Sequence, residues 1–373
     1  MPQKPIRVLQ VGMSDNYGGT EAIVYGIYEH LDHSQIQFDF LNVYGHPIAK
    51  QAELEAQGAH VYDLLLKRRE GYFKYIHGIK AFYKAHASEF DAVVCNIQCM
   101  DQIDMAKWAK KYGIKKRIVY LHNSGYGIQP SRLARIAIGW NKRFSHRYVT
   151  TYAAGSQLSA DWGYSKKDAR KTIVIKHGID TKLFAFSSVK RTEFRKTYGL
   201  KETDIVYGSA GRLDPQKNQI FLLKTYQAIH EKNPKARFLL AGRGPEEAKI
   251  RKAIQDLGLG EVCHLITDFI DFSAFYSALD FFLLPSLFEG LGLVLIEAQC
   301  SGLPCFCTSG TIPNVTKILP SFSFISLTYS PQVWAEQILS AVCHTSRFAC
   351  SLLVDKAGYD IHDTAKTYRS LFE

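Results

Sequence analysis

The sequence predicts an α/β protein made of two Rossmann-like, doubly wound domains facing each other across a cleft. Strand-like and helix-like runs alternate throughout, the pattern of βαβ units on parallel sheets. The alternation pauses once, at residues 177–188 (HGIDTKLFAFSS), and then restarts, which marks the expected linker. The chain has 373 residues, enough for two domains of ordinary size. The expected division is 1–180 and 181–355, with a C-terminal helix over 356–373 that either returns to the first domain or caps the second.

In the first half, Ile6–Val11, Phe38–Val43, His60–Leu65, Ala92–Ile97, Arg117–Leu121, Tyr148–Ala153 and Thr172–Ile175 read as strands. Helix-patterned segments fall at Thr20–Leu31, Ile48–Gln57, Tyr72–His86 and Gln102–Tyr112. In the second half the strands are Ile205–Ser209, Arg237–Ala241, Val262–Ile266, Phe281–Pro285 and Pro304–Cys307. Helices are expected at Gln219–Glu231, Pro245–Leu257 and Phe272–Leu279, and again after Gly292, where Gly302 and Pro304 supply the stop.

Composition is that of a soluble globular protein: 46% hydrophobic and 22% charged residues, with no apolar run near the ~18 residues of a membrane span. The N-terminus enters a strand-like run without a cleavage-site pattern, so no signal peptide is expected. The eight cysteines include C-x3-C and C-x-C, neither a zinc spacing, and suit a reduced, cytoplasmic compartment. The positive charge is concentrated in residues 1–185, which hold 26 Lys and Arg against 16 Asp and Glu; the rest is nearly balanced. Such a half attracts anionic partners: membrane lipid, nucleic acid or a phosphorylated substrate.

The most informative stretch is FFLLPSLFEGLGLVLIEAQCSGLP, residues 281–304. It reads as strand, glycine loop and helix N-terminus, a ready site for phosphate. If the helix starts near Gly292, Glu297 lies roughly 7 Å along its axis, about the reach from a diphosphate to its ribose. Glu289 stands on the other side, where a sugar would sit. Gly211-Arg212-Leu213-Asp214-Pro215-Gln216-Lys217-Asn218 follows another strand, and Arg212 and Lys217 suit phosphate oxygens. Gly242-Arg243-Gly244-Pro245 opens a further helix. In the first half, Ser14 to Glu21 contains Gly18-Gly19 without G-x-G-x-x-G, and is equally readable as a glycine turn with Thr20 capping the helix. His122 follows the strand RIVYL. Residues 131–147 (SRLARIAIGWNKRFSHR) repeat apolar residues at helical spacing among Arg132, Arg135, Lys142, Arg143 and Arg147. Such a helix either lies on an anionic membrane or packs on its own domain.

Taken together, Gly18-Gly19, His122, Gly211-Arg212 with Lys217-Asn218, Gly242-Arg243-Gly244-Pro245 and Glu289-x7-Glu297 resemble the family 4 glycosyltransferases of the GT-B fold. The GGTE, HNS and KHGID segments are similar to bacterial capsule and exopolysaccharide transferases. The resemblance implies a retaining, metal-independent transfer from a nucleotide sugar, with no cofactor. It places Arg212, Lys217 and the backbone near Gly292 and Leu293 on the diphosphate and Glu297 on the ribose. Glu289 then meets the sugar hydroxyls, Gly18 and Gly19 approach the diphosphate, Gly242 lines the nucleoside end, and His122 sits beside the transferred sugar; Glu289 and His122 are the catalytic candidates. The family's usual glycine near Leu265 is absent, where LITDFID stands, and AAGS at 153–156 departs from the expected pattern.

The expected activity is transfer from a UDP-sugar to a lipid-linked saccharide in capsule or exopolysaccharide assembly. The expected location is cytoplasmic and peripheral at the inner face of the plasma membrane, with Arg132, Arg135 and Arg143 toward membrane or acceptor and no nucleic acid partner. A sugar-nucleotide epimerase on the same architecture needs an acid/base carboxylate pair that the sequence does not display. A non-catalytic sugar-nucleotide or nucleic-acid binder sits poorly with an intact set of Arg212, Lys217, Glu289 and Glu297.

Overall fold

The computed structural model describes residues 4–15, 17–43, 46–64, 71–101, 103–126, 129–268, 270–341 and 346–373. The chain divides into two compact units, Met1–Gly178 with Ile361–Glu373, and Ile179–Asp360.

In the first unit the order is β1 (Ile6–Val11), α1 (Gly19–Glu29), β2 (Ile36–Asn42), α2 (Gln51–Ala56), β3 (Val61–Asp63), α3 (Tyr72–His86), β4 (Ala92–Ile97), α4 (Asp104–Lys111), β5 (Lys116–Leu121), α5 (Arg132–Phe144), β6 (Thr151–Ala154), α6 (Gln157–Gly163), α7 (Lys166–Ala169) and β7 (Ile173–Val174). The strands form one parallel sheet in the order β3-β2-β1-β4-β5-β6-β7. Every residue of β4 is buried, which is why it shows no polar alternation and reads as an apolar run broken only by Asn96. Residues 65 and 102, at the ends of one expected strand and one expected helix, lie outside the described residues.

The second unit contains α8 (Ser188–Thr197), β8 (Ile205–Ala210), α9 (Gln219–Lys232), β9 (Ala236–Ala241), α10 (Glu247–Asp256), β10 (Cys263–Ile266), α11 (Phe272–Ala278), β11 (Phe281–Leu284), α12 (Leu293–Cys300), β12 (Cys305–Thr308), β13 (Phe322–Ile325), α13 (Pro331–Leu339) and α14 (Cys350–Lys356). Its parallel sheet runs β10-β9-β8-β11-β12-β13. In both sheets the chain winds outward from the first strand, then returns to the other side of it. The reversal falls at β1/β4 and at β8/β11, and loops that leave such a point diverge and open a crevice at the carboxyl ends.

The last helix, α15 (Ile361–Arg369), belongs to the first unit. Ile361 packs near Gly26 of α1, and the buried Tyr368 hydroxyl accepts a hydrogen bond from Gln10 Nε2 at 2.9 Å. Among the described residues, no helix is long and apolar enough to cross a membrane.

Candidate functional site

In the second unit the carboxyl ends of β8 and β11 are stitched together. Leu287 N donates to the Gln216 carbonyl at 2.8 Å, Gln216 Nε2 to the Phe288 carbonyl at 2.9 Å, and Asn218 Nδ2 to the Pro285 carbonyl at 3.2 Å. These bonds hold the short 3-10 turn Pro215–Lys217 against the loop that carries Glu289. The result is an ion pair, Lys217 Nζ to Glu289 Oε1 at 2.7 Å, with the two side chains 15% and 8% exposed. Glu289 is thus a buried acid, not a solvated surface one.

Gly292 is the N-cap of α12 and sits at φ 83°, a left-handed conformation that favours glycine. The helix therefore starts at Leu293, as the glycine spacing predicted. Its first-turn N–H groups precede the intrahelical ladder and carry the positive end of the helix dipole. Glu297 follows one turn later. Its Oε2 accepts a 2.6 Å hydrogen bond from the hydroxyl of Tyr276 on α11. Burial pushes its carboxyl up to about 7, offset in part by the Tyr276 hydrogen bond and the charge of Lys217. Lys217, Glu289, Gly292 and Glu297 thus share one neighbourhood, within which a Cβ at Gly292 would touch the Glu289 side chain at 3.7 Å.

Arg212 is placed differently. Its guanidinium is half exposed, and its Nε donates to Asp214 Oδ2 at 2.6 Å. Asp214 also caps the 3-10 turn by accepting from Lys217 N. Asp214 therefore pairs with the Arg212 guanidinium and also holds the backbone at Lys217, a role the sequence did not suggest. Gly242 ends β9 with φ 155°, and a Cβ there would lie 1.9 Å from the Gly211 carbonyl oxygen. Only glycine lets these two strand ends approach so closely. In the LITDFID segment Arg243 Nε donates to the Thr267 carbonyl, and Asp271 caps α11 by accepting from Ser273 N at 2.8 Å.

In the first unit, Gly18 is the N-cap of α1, not Thr20. The buried Glu21 binds back: its Oε1 accepts from Ser14 N and Ser14 Oγ, both at 2.9 Å, and its Oε2 from Gly18 N at 3.1 Å. Thr20 Oγ1 instead accepts from Gln98 Nε2 at 2.9 Å. The Gly18 N–H is spent on Glu21, so Gly19, where a Cβ would meet nothing within 4 Å, is the open member of the pair. A glutamate three residues after a helix cap is a readable sign of this arrangement.

His122 ends β5 in a buried position, 8% exposed. Its Nε2 lies 3.0 Å from Asn96 Oδ1, and its Nδ1 is buried with no hydrogen-bond partner among the described residues. An acceptor left so costs about 1–3 kcal/mol unless something fills it. Desolvation, and then the neighbouring His177, hold the His122 ring well below the ordinary imidazole range; burial takes His177 down to about 3. Both rings are therefore neutral at physiological pH.

Helix α5 docks through Ile138, its buried apolar residue, and through Asn141 Nδ2, which donates to the Met100 carbonyl at 2.6 Å. The apolar stripe seen in the sequence faces outward: Leu133 is 79% exposed, Ile136 59% and Trp140 63%. Arg132, Arg135 and Arg143 are exposed on the same helix. The helix therefore packs on its own unit with solvated arginines, while most of its apolar stripe faces outward.

Residues 190–343, most of the second unit, match the family described as "Glycosyl transferases group 1". The chain is also 28% identical over 346 residues to EpsF of Bacillus subtilis (strain 168), covering 90% of this chain and 87% of that one. The chain is thus similar to the group 1 glycosyl transferases, and the family match itself lies in the second unit. A further relative is the Escherichia coli UDP-Gal:alpha-D-GlcNAc-diphosphoundecaprenol alpha-1,3-galactosyltransferase, 34% identical over 145 residues, 38% of each chain. Anabaena HepE, crystallised with UDP and glucose, has the same fold, with a TM-score of 0.77 at 18% identity over 98% of both chains. This glycosyl transferase thus has the two Rossmann-like units expected of GT-B enzymes.

Proposed function

We propose that this glycosyl transferase moves a sugar from a UDP-sugar to a lipid-linked saccharide, with retention of configuration, in the assembly of a capsular or exopolysaccharide. The observation that carries the reading is the cluster at the β8/β11 switch point. There Lys217 and the first turn of α12 suit a diphosphate, Glu297 a ribose, and Glu289 the hydroxyls of the sugar. Arg212, half exposed and held by Asp214, has the freedom to swing onto a phosphate oxygen. Gly242 bounds the nucleoside end. Together these cations and N–H groups take up the charge that develops on the leaving diphosphate, the task a divalent cation performs elsewhere, so the transfer is proposed to run without a metal. In the first unit, Gly19 offers an open backbone position, and His122 a buried nitrogen that lacks a partner.

The E. coli relative takes a UDP-sugar donor and a diphosphoundecaprenol-linked acceptor, and the Anabaena protein binds UDP and glucose; both support the reading. The outward stripe of α5 supports a peripheral position on an anionic membrane, where such an acceptor resides. The apolar side chains enter the interface, and the arginines meet lipid phosphates.

The test is a screen of UDP- and GDP-sugars for turnover and for thermal stabilisation. Stabilisation and slow hydrolysis by a UDP-sugar are expected. A response confined to GDP-sugars would replace the donor, and no response to any would remove the proposed activity.

A further inference from the structure

Below His122 lies a chain of buried amides that nothing above explains. Asn96 closes β4 and is 3% exposed. Its Nδ2 donates to the Val11 carbonyl at 3.2 Å and to Gln10 Oε1 at 3.0 Å. Gln10 Nε2 in turn donates to the Tyr368 hydroxyl of α15 at 2.9 Å. A backbone carbonyl can only accept, so the Val11 oxygen fixes which end of the Asn96 amide is nitrogen. The opposite end, Oδ1, is an acceptor, and it stands 3.0 Å from His122 Nε2. The proton of the imidazole must therefore be on Nε2. Nδ1 is then a lone pair, and it is this atom that is buried without a partner among the described residues.

We propose that Asn96 is a positioning residue that locks His122 in the Nε2–H tautomer, so that Nδ1 presents a lone pair to a ligand hydroxyl at the carboxyl end of β5 in the first unit. A lone pair accepts from O–H or N–H and repels a phosphate oxygen, so the site at His122 selects a neutral hydroxyl donor over a phosphate. The lock draws on three distant segments: β1 through Gln10 and Val11, β4 through Asn96, and α15 through Tyr368. The C-terminal helix thereby contributes to the orientation of a side chain it does not touch by hydrogen bond. The hydroxyl assignment rests on the function proposed above; the tautomer does not.

The experiment uses the whole chain with 15N-labelled histidine, the His122 signals being assigned by their absence in His122→Asn. In the ligand-free protein His122 should show a protonated Nε2 and an unprotonated Nδ1. Asn96→Leu, close in volume but without an acceptor, should lose the single tautomer and reduce sugar transfer by about tenfold or more. Asn96→Asp loses the donor to the Val11 carbonyl but keeps an acceptor toward Nε2, and should restore the Nε2 proton, which a merely structural role would not do. Inorganic phosphate should leave Nδ1 unprotonated. An unchanged Nε2–H tautomer in folded Asn96→Leu would overturn the proposal, as would protonation of Nδ1 by phosphate. Should no nucleotide sugar be turned over at all, the proposed function falls while the tautomer comparison still decides this point.

Discussion

At the switch point of the first sheet the strand ends carry neutral hydrogen-bonding groups, Gln10, Asn96 and His122; at that of the second they carry Lys217, Glu289 and Glu297. The two sheets share a winding pattern, so topology explains where these sites lie and not what they bind. The difference in chemistry is one of self-sufficiency. In the second unit a buried cation and a buried anion neutralise each other at 2.7 Å, and a ligand must divide them. In the first unit the amide chain is complete except for one imidazole nitrogen, which a ligand need only fill. The proposed function puts a nucleotide diphosphate at the charged cluster of the second unit and a sugar hydroxyl at the amide chain of the first.

The largest effect should come from breaking the charged cluster. Glu289→Ala is expected to lower sugar transfer by about 10²–10³-fold. Because Lys217 is then left buried and unpaired, folding stability should also fall by about 3 kcal/mol, read by chemical denaturation. The double variant Lys217→Met/Glu289→Gln should regain much of that stability without regaining transfer. Recovery of transfer in the double variant would show that the pair is structural only.

On the first unit, replacing Arg132, Arg135 and Arg143 by Gln should weaken partitioning onto anionic vesicles by about 3 kcal/mol, near 1 kcal/mol for each charge. Unchanged partitioning would remove α5 from the membrane.

Glu297 sharpens the comparison through pH. Its folded value near 7 lies above the 4.5 of an ordinary glutamate, so the folded state keeps a proton that the unfolded chain releases. The stability that this neutral form confers is complete below about pH 4.5 and is lost as pH rises through 7. Glu297→Gln should therefore be more stable than the wild type above pH 7, by roughly 2–3 kcal/mol. Parallel stability–pH curves for the two proteins would contradict the burial of this carboxylate.

These two regions also differ in how much of them could be read from the sequence. The cluster in the second unit is built from loops whose glycines and charges are adjacent in the chain, so the start of α12 and the neighbourhood of Lys217, Glu289 and Glu297 were legible. The supporting residues were not: Tyr276 reaches Glu297 from another helix, and Asp214 looked like an ordinary turn residue. In the first unit Asn96, Gln10 and Tyr368 lie up to 358 positions apart and meet only through the sheet and the returning helix. Helix α8 escaped the periodicity because its inward residues are Phe194 and a buried arginine, Arg195, bonded to Asp280 at 2.7 Å, which leaves no apolar stripe to count. Strand β13 and helices α6, α7, α13 and α14 are likewise absent from the sequence-based expectations. For α5 the stripe was seen correctly, but periodicity cannot tell an inward face from an outward one.

The most direct test of the charged cluster as the nucleotide site is the thermal stabilisation of the wild type and of Lys217→Met by UDP. At a concentration a hundred times its dissociation constant, UDP should stabilise the wild type by about 2.7 kcal/mol, and Lys217→Met should show little of that gain. An equal gain in both proteins would contradict the placement of the diphosphate beside Lys217.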